Sequence, residues 1–131
     1  MFKPLKMINS QSLVSGFFLA LLTFTQVVYA HKECEKITFN LEQISEEGLI
    51  GQGSGKRAMA YEFCIPANPQ TLAEVKDIDS TVQYSRSRGR IGCQPDQYLC
   101  IGHTHQNRWR EVLDQLAKLA YVKQINPFWG E

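Results

Sequence analysis

Large apolar side chains recur at every second position in two stretches of the chain, between polar or small residues. Ile37, Phe39 and Leu41 are interleaved with Thr38, Asn40 and Glu42, and Met59, Tyr61, Phe63 and Ile65 with Ala58, Ala60, Glu62 and Cys64. A period of two puts every second side chain on the same side of an extended backbone, so both stretches predict half-buried strands. Gly48-Leu49-Ile50-Gly51-Gln52-Gly53-Ser54-Gly55 between them is a glycine-rich connection. Asn68-Pro69 then has the form of an N-cap and first helical residue, opening a short helix through Leu72, Val75 and Ile78. Thr81-Val82-Gln83-Tyr84 predicts a brief strand, and Ile91 with Gln97 to Ile101 a strand pair about the Pro95-Asp96 turn. The clearest element is a helix from about Asn107 to Ala120. Trp109, Val112, Leu113, Leu116 and Ala120 fall on one side of it, and Arg110–Asp114 and Asp114–Lys118 can pair on the other. Tyr121, Val122 and Ile125 suggest a return strand before the tail Pro127 to Glu131. The expected fold is α+β, a small antiparallel sheet with one long C-terminal helix across a face and one short helix.

The first thirty residues follow a different pattern. Lys3 and Lys6 precede an apolar stretch from Leu13 to Val28, which ends in Val28-Tyr29-Ala30 with small residues where a signal peptidase reads. Residues 1–30 are therefore expected to be a signal peptide, and residues 31–131 a single disulfide-bonded domain, exported to a periplasm, lumen or extracellular space. Membrane contact is expected during export alone. Thr23, Thr25 and Gln26 make the stretch a poor permanent span. The whole chain carries 14 Lys+Arg and 13 Asp+Glu. Without Lys3 and Lys6 the balance is 12 against 13, a net charge near −1, which argues against nucleic acid as a partner.

All four cysteines, Cys34, Cys64, Cys93 and Cys100, follow the signal. An even number in a small exported chain predicts two disulfides. Three connectivities exist. Cys93 and Cys100 flank a turn, and Cys34 and Cys64 share strand parity, which favours Cys93–Cys100 with Cys34–Cys64 while leaving the other two open. No C-x-x-C pair is present to suggest a zinc site.

Three strings carry candidate chemistry. Gly51, Gly53, Gly55, Lys56 and Arg57 fail the phosphate-loop spacing, because Ile50 stands where the first glycine belongs and Arg57 where a magnesium-binding hydroxyl belongs. Ser54 is not in a G-x-S-x-G nucleophile elbow, because Gln52 and Lys56 stand where its two glycines belong. Ile101-Gly102-His103-Thr104-His105 resembles the last metal-binding motif of calcineurin-like metallophosphoesterases. Their aspartate-x-histidine, G-D and G-N-H motifs have no counterpart here, and the second H-x-[ST] of two-histidine phosphoesterases is missing too. The strand-end pair His103 and His105 can nevertheless chelate copper or zinc if a third ligand joins them. His31, N-terminal after cleavage, resembles the leading residue of the copper-binding histidine brace and would supply that ligand. The bland alternative has Thr104 or Asn107 capping the following helix, with both histidines in a polar loop.

Arg86, Arg88 and Arg90 alternate with small residues beside Tyr84, and no acid occurs from Tyr84 to Gln94. Such a cluster suits a phosphate, sulfate or carboxylate group. No nucleophile–base pair or paired carboxylate can be assembled from spacing, so catalysis is not the expectation. The expected function is an exported binding module for an unknown protein or anionic ligand, with no cofactor. The alternatives are a metal-binding protein or metalloenzyme on His103 and His105, and an accessory subunit of an envelope or lumenal complex.

Overall fold

The computed structural model describes residues 35–130. The expected signal peptide, His31 and Cys34 lie outside the described residues.

The alternation from Met59 to Ile65 produces the central strand. Ala60–Pro66 runs through the middle of a four-stranded antiparallel sheet, and Tyr61, Phe63 and Ile65 on one face have no exposed surface. In chain order the elements are β1 (Leu49–Ile50), β2 (Arg57–Ala58), β3 (Ala60–Pro66), α1 (Pro69–Ile78), β4 (Gln83–Ser85), β5 (Gln97–His103), α2 (Trp109–Lys118) and β6 (Asn126–Phe128). The main sheet has the order β4-β5-β3-β6, and β1 and β2 form a separate antiparallel pair. Both sheets are antiparallel and two helices accompany them, so the α+β expectation stands. No helix among the described residues is long and apolar enough to cross a membrane.

Periodicity explains α2 directly. Trp109, Val112, Leu113 and Leu116 recur at helical spacing and are buried together with Ala117, whereas Ala120, expected on the same side, lies beyond the helix and is exposed. The buried residues join Tyr61, Phe63 and Ile65 in one core cluster with Val75 of α1. The start of α1 follows the capping rule: the Asn68 side chain accepts from the Thr71 amide at 2.9 Å, and Pro69 occupies the first turn, where its missing N–H costs nothing. Lys118–Asp114 forms at 2.9 Å, whereas Arg110 lies over the Trp109 ring, 4.6 Å from its centroid, instead of reaching Asp114.

Several expectations are corrected. The two helices span 10 residues each, so neither is the long one. The Ile37 stretch makes a single parallel bridge to Ile125 and then turns into a short 3-10 helix, Leu41–Gln43, with Asn40 as its cap. Its alternation follows from Ile37, Phe39 and Leu41 packing on the core, not from a ladder. Ile91 lies outside the strands, and β5 takes β3 and β4 as neighbours, not a hairpin partner across Pro95-Asp96.

The disulfide prediction also changes. Cys64 bonds Cys93, and Cys100 is a buried free thiol, so neither Cys93–Cys100 nor Cys34–Cys64 forms. Register gives the reason. Phe63 lies opposite Cys100 and Cys64 opposite Leu99, so Cys100 faces the helices with Phe63 while Cys64 faces the other side of the sheet. Cys93 reaches that outer side on the loop before β5 and cannot meet a thiol on the core side.

Candidate functional site

Gly102-His103-Thr104-His105 turns out to be a structural junction. A Cβ on Gly102 would stand 2.6 Å from a carboxylate oxygen of Asp79 and 2.8 Å from the Tyr61 ring, so only glycine lets that pair pack across β5. Thr104 is fully buried. Its hydroxyl donates to the Gly48 carbonyl at 2.6 Å and accepts from the Met59 amide at 3.0 Å. Neither Thr104 nor Asn107 caps α2. The cap position is Arg108, in the left-handed region at φ 57° and without a side-chain hydrogen bond.

The two histidines have separate surroundings. The His103 amide donates to the Thr81 hydroxyl at 3.1 Å, and its carbonyl accepts from the Gln106 side chain at 2.9 Å. The His103 Nδ1 is buried without a hydrogen-bond partner among the described residues. His105 is exposed, with Nδ1 3.2 Å from the Glu47 carbonyl, an arrangement that places the proton on that nitrogen. No group of three or more His, Cys, Asp or Glu side chains placed to hold a metal occurs among the described residues.

Beneath this junction lies a buried polar knot that sequence reading missed. Asp79 has no exposed surface and ends α1. Its carboxylate accepts from the Tyr61 hydroxyl in a short hydrogen bond, from the Thr81 amide at 2.9 Å and hydroxyl at 2.6 Å, and from Gln106 at 3.0 Å. Burial, reinforced by the Asp79 charge, pushes the Tyr61 hydroxyl far above its ordinary titration range. The knot ties α1, β3 and the β5–α2 turn together. Two open grooves, of about 430 and 290 Å³, flank that turn and share Gln106, Asn107 and Arg108.

The arginine segment builds the most distinctive surface. Its backbone is held by short side-chain turns, Ser87 N to Ser85 Oγ at 3.3 Å and Gly89 N to Ser87 Oγ at 3.2 Å. The Gly92 and Cys93 amides both return to the Arg88 carbonyl, at 3.1 and 2.8 Å. The loop lies across the outer face of the sheet. A Cβ on Gly89, whose φ is +62°, would come within 2.8 Å of Leu99 and 3.1 Å of Glu62. Glu62, 1% exposed, accepts from the Ile91 amide at 2.7 Å through one oxygen, and its other oxygen has no hydrogen-bond partner among the described residues. The Cys64–Cys93 bond fastens the end of the loop to β3.

Of the three arginines, Arg86 meets an aromatic ring. Arg88 and Arg90 are exposed on the loop over the outer face. Arg86 joins an aromatic pair on the helix side. Its guanidinium is 5.0 Å from the Tyr98 centroid and donates to the Pro95 carbonyl at 3.3 Å. Tyr98 meets Tyr84 at 5.0 Å between centroids, and Lys76 of α1 sits 4.9 Å over the Tyr84 ring. Two cations thus bracket two tyrosines in a row, Lys76–Tyr84–Tyr98–Arg86. Tyr84 is 46% exposed. Among the described residues no carboxylate is ion-paired to Lys76, Arg86 or Arg88, although Asp77 adjoins Lys76 in the chain and Asp96 adjoins Pro95, to which Arg86 donates. Cations on ring faces keep their charge available to a further anion. Arg86 and Tyr84 were legible as candidates. Lys76 and Tyr98 come from α1 and β5, and only the sheet register brings them in.

No protein-family model matches the chain, and no curated protein or solved structure is similar enough to match, so a functional reading rests on this surface.

Proposed function

We propose that the chain is an exported binding module, stapled by Cys64–Cys93, that recognises an anionic group at the edge of its sheet. The observation that carries this reading is the row Lys76–Tyr84–Tyr98–Arg86, two cations held on tyrosine faces with no carboxylate among the described residues paired to either. A guanidinium and an ammonium held in place need less ordering on contact with an anion than free side chains do. The tyrosines add planar, partly apolar surface for the body of a ligand. The buried disulfide partner Cys93 and the apolar leader before Ala30 support an oxidising destination.

The test is surface plasmon resonance of the oxidised protein over immobilised poly-glutamate, heparin and anionic lipid vesicles. At least one of these is retained at low salt, and the signal falls as salt rises. Lys76→Ala with Arg86→Ala weakens that binding about tenfold or more, on the order of 1.4 kcal/mol for two charge-assisted contacts. Retention of none of the three, or equal retention by the double variant, refutes the reading.

A further inference from the structure

The two edges of the main sheet are built differently, and the difference identifies what the cationic row can receive. On β6, the register pairs Ala60 with Phe128, Tyr61 with Pro127 and Glu62 with Asn126. On the other side of β3, the Thr104 amide bonds the Met59 carbonyl at 2.9 Å in the same register as Tyr61 and Gly102. Backbone groups of odd-numbered β3 residues therefore point to β5, and those of Ala60 and Glu62 point to β6. Pro127 is left facing outward, where it has no N–H to offer, which blunts that edge. Next to it, the outside of Ile125 is occupied by the chain at Ile37, with Thr38 N to Ile125 O at 3.0 Å.

The β4 edge is open by the same alternation. Even-numbered β5 residues turn their backbone groups to β3, so Leu99 and Ile101 turn theirs to β4 and bond Ser85 and Gln83. Tyr84, opposite Cys100, directs both its N–H and its C=O away from the sheet. All of β4 is exposed. The edge carries neither a proline nor a covering segment among the described residues, and it is flanked by Lys76, Arg86 and Arg88.

From this we infer that β4 receives an extended, acidic peptide segment of another protein as an added antiparallel or parallel strand, the Tyr84 backbone supplying the register and the flanking cations choosing the sequence. The inference rests on the anion-binding reading above and narrows it to a polypeptide. Main-chain hydrogen bonds are indifferent to side chains, so selectivity comes from what stands beside the edge. Lys76 and Arg86 stand on the helix side of the sheet, and Arg88 follows on the loop over the outer side. Alternate acidic residues of an added strand would meet the first two, while like-charged strands would be repelled. The single outward residue of regular β4 sets a short footprint, so the complex is weak unless the partner is multivalent or concentrated.

The experiment uses the oxidised, isotope-labelled protein and three synthetic hexapeptides: Glu-Val-Glu-Thr-Glu-Val with blocked ends, the same peptide N-methylated at alternate residues, and its Lys-for-Glu counterpart. The readout is amide exchange and amide chemical shift at Tyr84. The acidic peptide slows Tyr84 exchange at least tenfold, and the N-methylated and basic peptides do not. If the acidic and N-methylated peptides shift the Arg86 signals equally with no protection at Tyr84, strand addition is overturned while anion binding survives. Failure of the acidic peptide to bind, with heparin or vesicles still retained, also overturns it, since the anion would then not be a polypeptide. Failure of every probe removes both readings.

Discussion

Asp79 shows how much of this molecule depends on single side chains with distant partners. It is a carboxylate with no exposed surface, and four donor groups converge on it from Tyr61, Thr81 and Gln106. Removing it leaves each donor buried without an acceptor, and desolvated polar groups lose more than the bond itself was worth. Asp79→Ala is expected to destabilise the fold by about 3 kcal/mol, with urea unfolding as the measurement. Gly102→Ala attacks the same knot from outside, because its Cβ would stand 2.6 Å from the Asp79 carboxylate. A loss of about 2 kcal/mol is expected there, of the size found when a packed site is overfilled. If Gly102→Ala were neutral in the same urea measurement, close packing would not be the reason for that glycine. The string around it carries contacts that its spacing does not reveal. Two histidines and a glycine at a strand end suggest metal chemistry, and in the fold Gly102 also answers to Tyr61 and Asp79, and Thr104 to Gly48 and Met59. Those contacts arise from strand register and loop return, which no local spacing encodes.

Elements were legible where burial imposes a simple period. The buried stripe of α2 and the odd-numbered face of β3 follow from spacing alone, and Asn68-Pro69 marks the start of α1 correctly. The short pieces were not legible, because Ile37 to Leu41 packs apolar side chains on the core without belonging to a ladder. Cysteine pairing depends on which face of the sheet each thiol occupies, and the face of Cys100 is fixed by its register with Phe63, a nonlocal fact. The disulfide that does form has a defined task at this scale, holding the arginine loop against β3. It closes a loop with a sequence separation of 29 residues. Loop-closure entropy then gives a stabilisation of about 3.6 kcal/mol, and the Cys64→Ala, Cys93→Ala protein should lose close to that in urea unfolding. The loop should also open locally before the sheet does. Trypsin is expected to cut at Arg86, Arg88 or Arg90 several-fold faster in the double variant under native conditions. Unchanged cleavage would mean that the Gly89 contact with Leu99 and the Ile91–Glu62 hydrogen bond hold the loop unaided.

For the molecule as a whole, burial favours the neutral forms of weak acids in the core, and this fixes how stability depends on pH. Cys100 has no exposed surface, and burial, with the Asp79 charge adding to it, pushes its thiol from 9.0 up to about 12. Tyr61 is pushed upward by burial and then by Asp79, and Tyr121 by burial and its short hydrogen bond to Glu74. In each case the folded chain keeps a proton that the unfolded chain releases at lower pH. Stability from these groups is therefore complete below the unfolded value and is lost as pH rises toward the folded one. The first to act is Cys100, from about pH 9, followed by the tyrosines from about pH 10. For the buried Cys100 and Tyr61, each proton held only by the folded state contributes a slope of about 1.4 kcal/mol per pH unit once the unfolded group has ionised. Tyr121, whose hydrogen bond to Glu74 is exposed, contributes less because solvent screens that bond. Cys100→Ala should lower stability at pH 7 through the small cavity it leaves, by about 1 kcal/mol. Between pH 9.5 and 11 (roughly the interval set by the thiol shift) its loss of stability with pH should nevertheless be shallower than that of the parent by that same slope. The measurement is urea unfolding at fixed temperature across this range, with free thiols alkylated on quenching to exclude disulfide exchange. Parallel curves for the two proteins would mean that Cys100 ionises as readily in the folded chain as in the unfolded one, and that the space between β5 and the helices admits water.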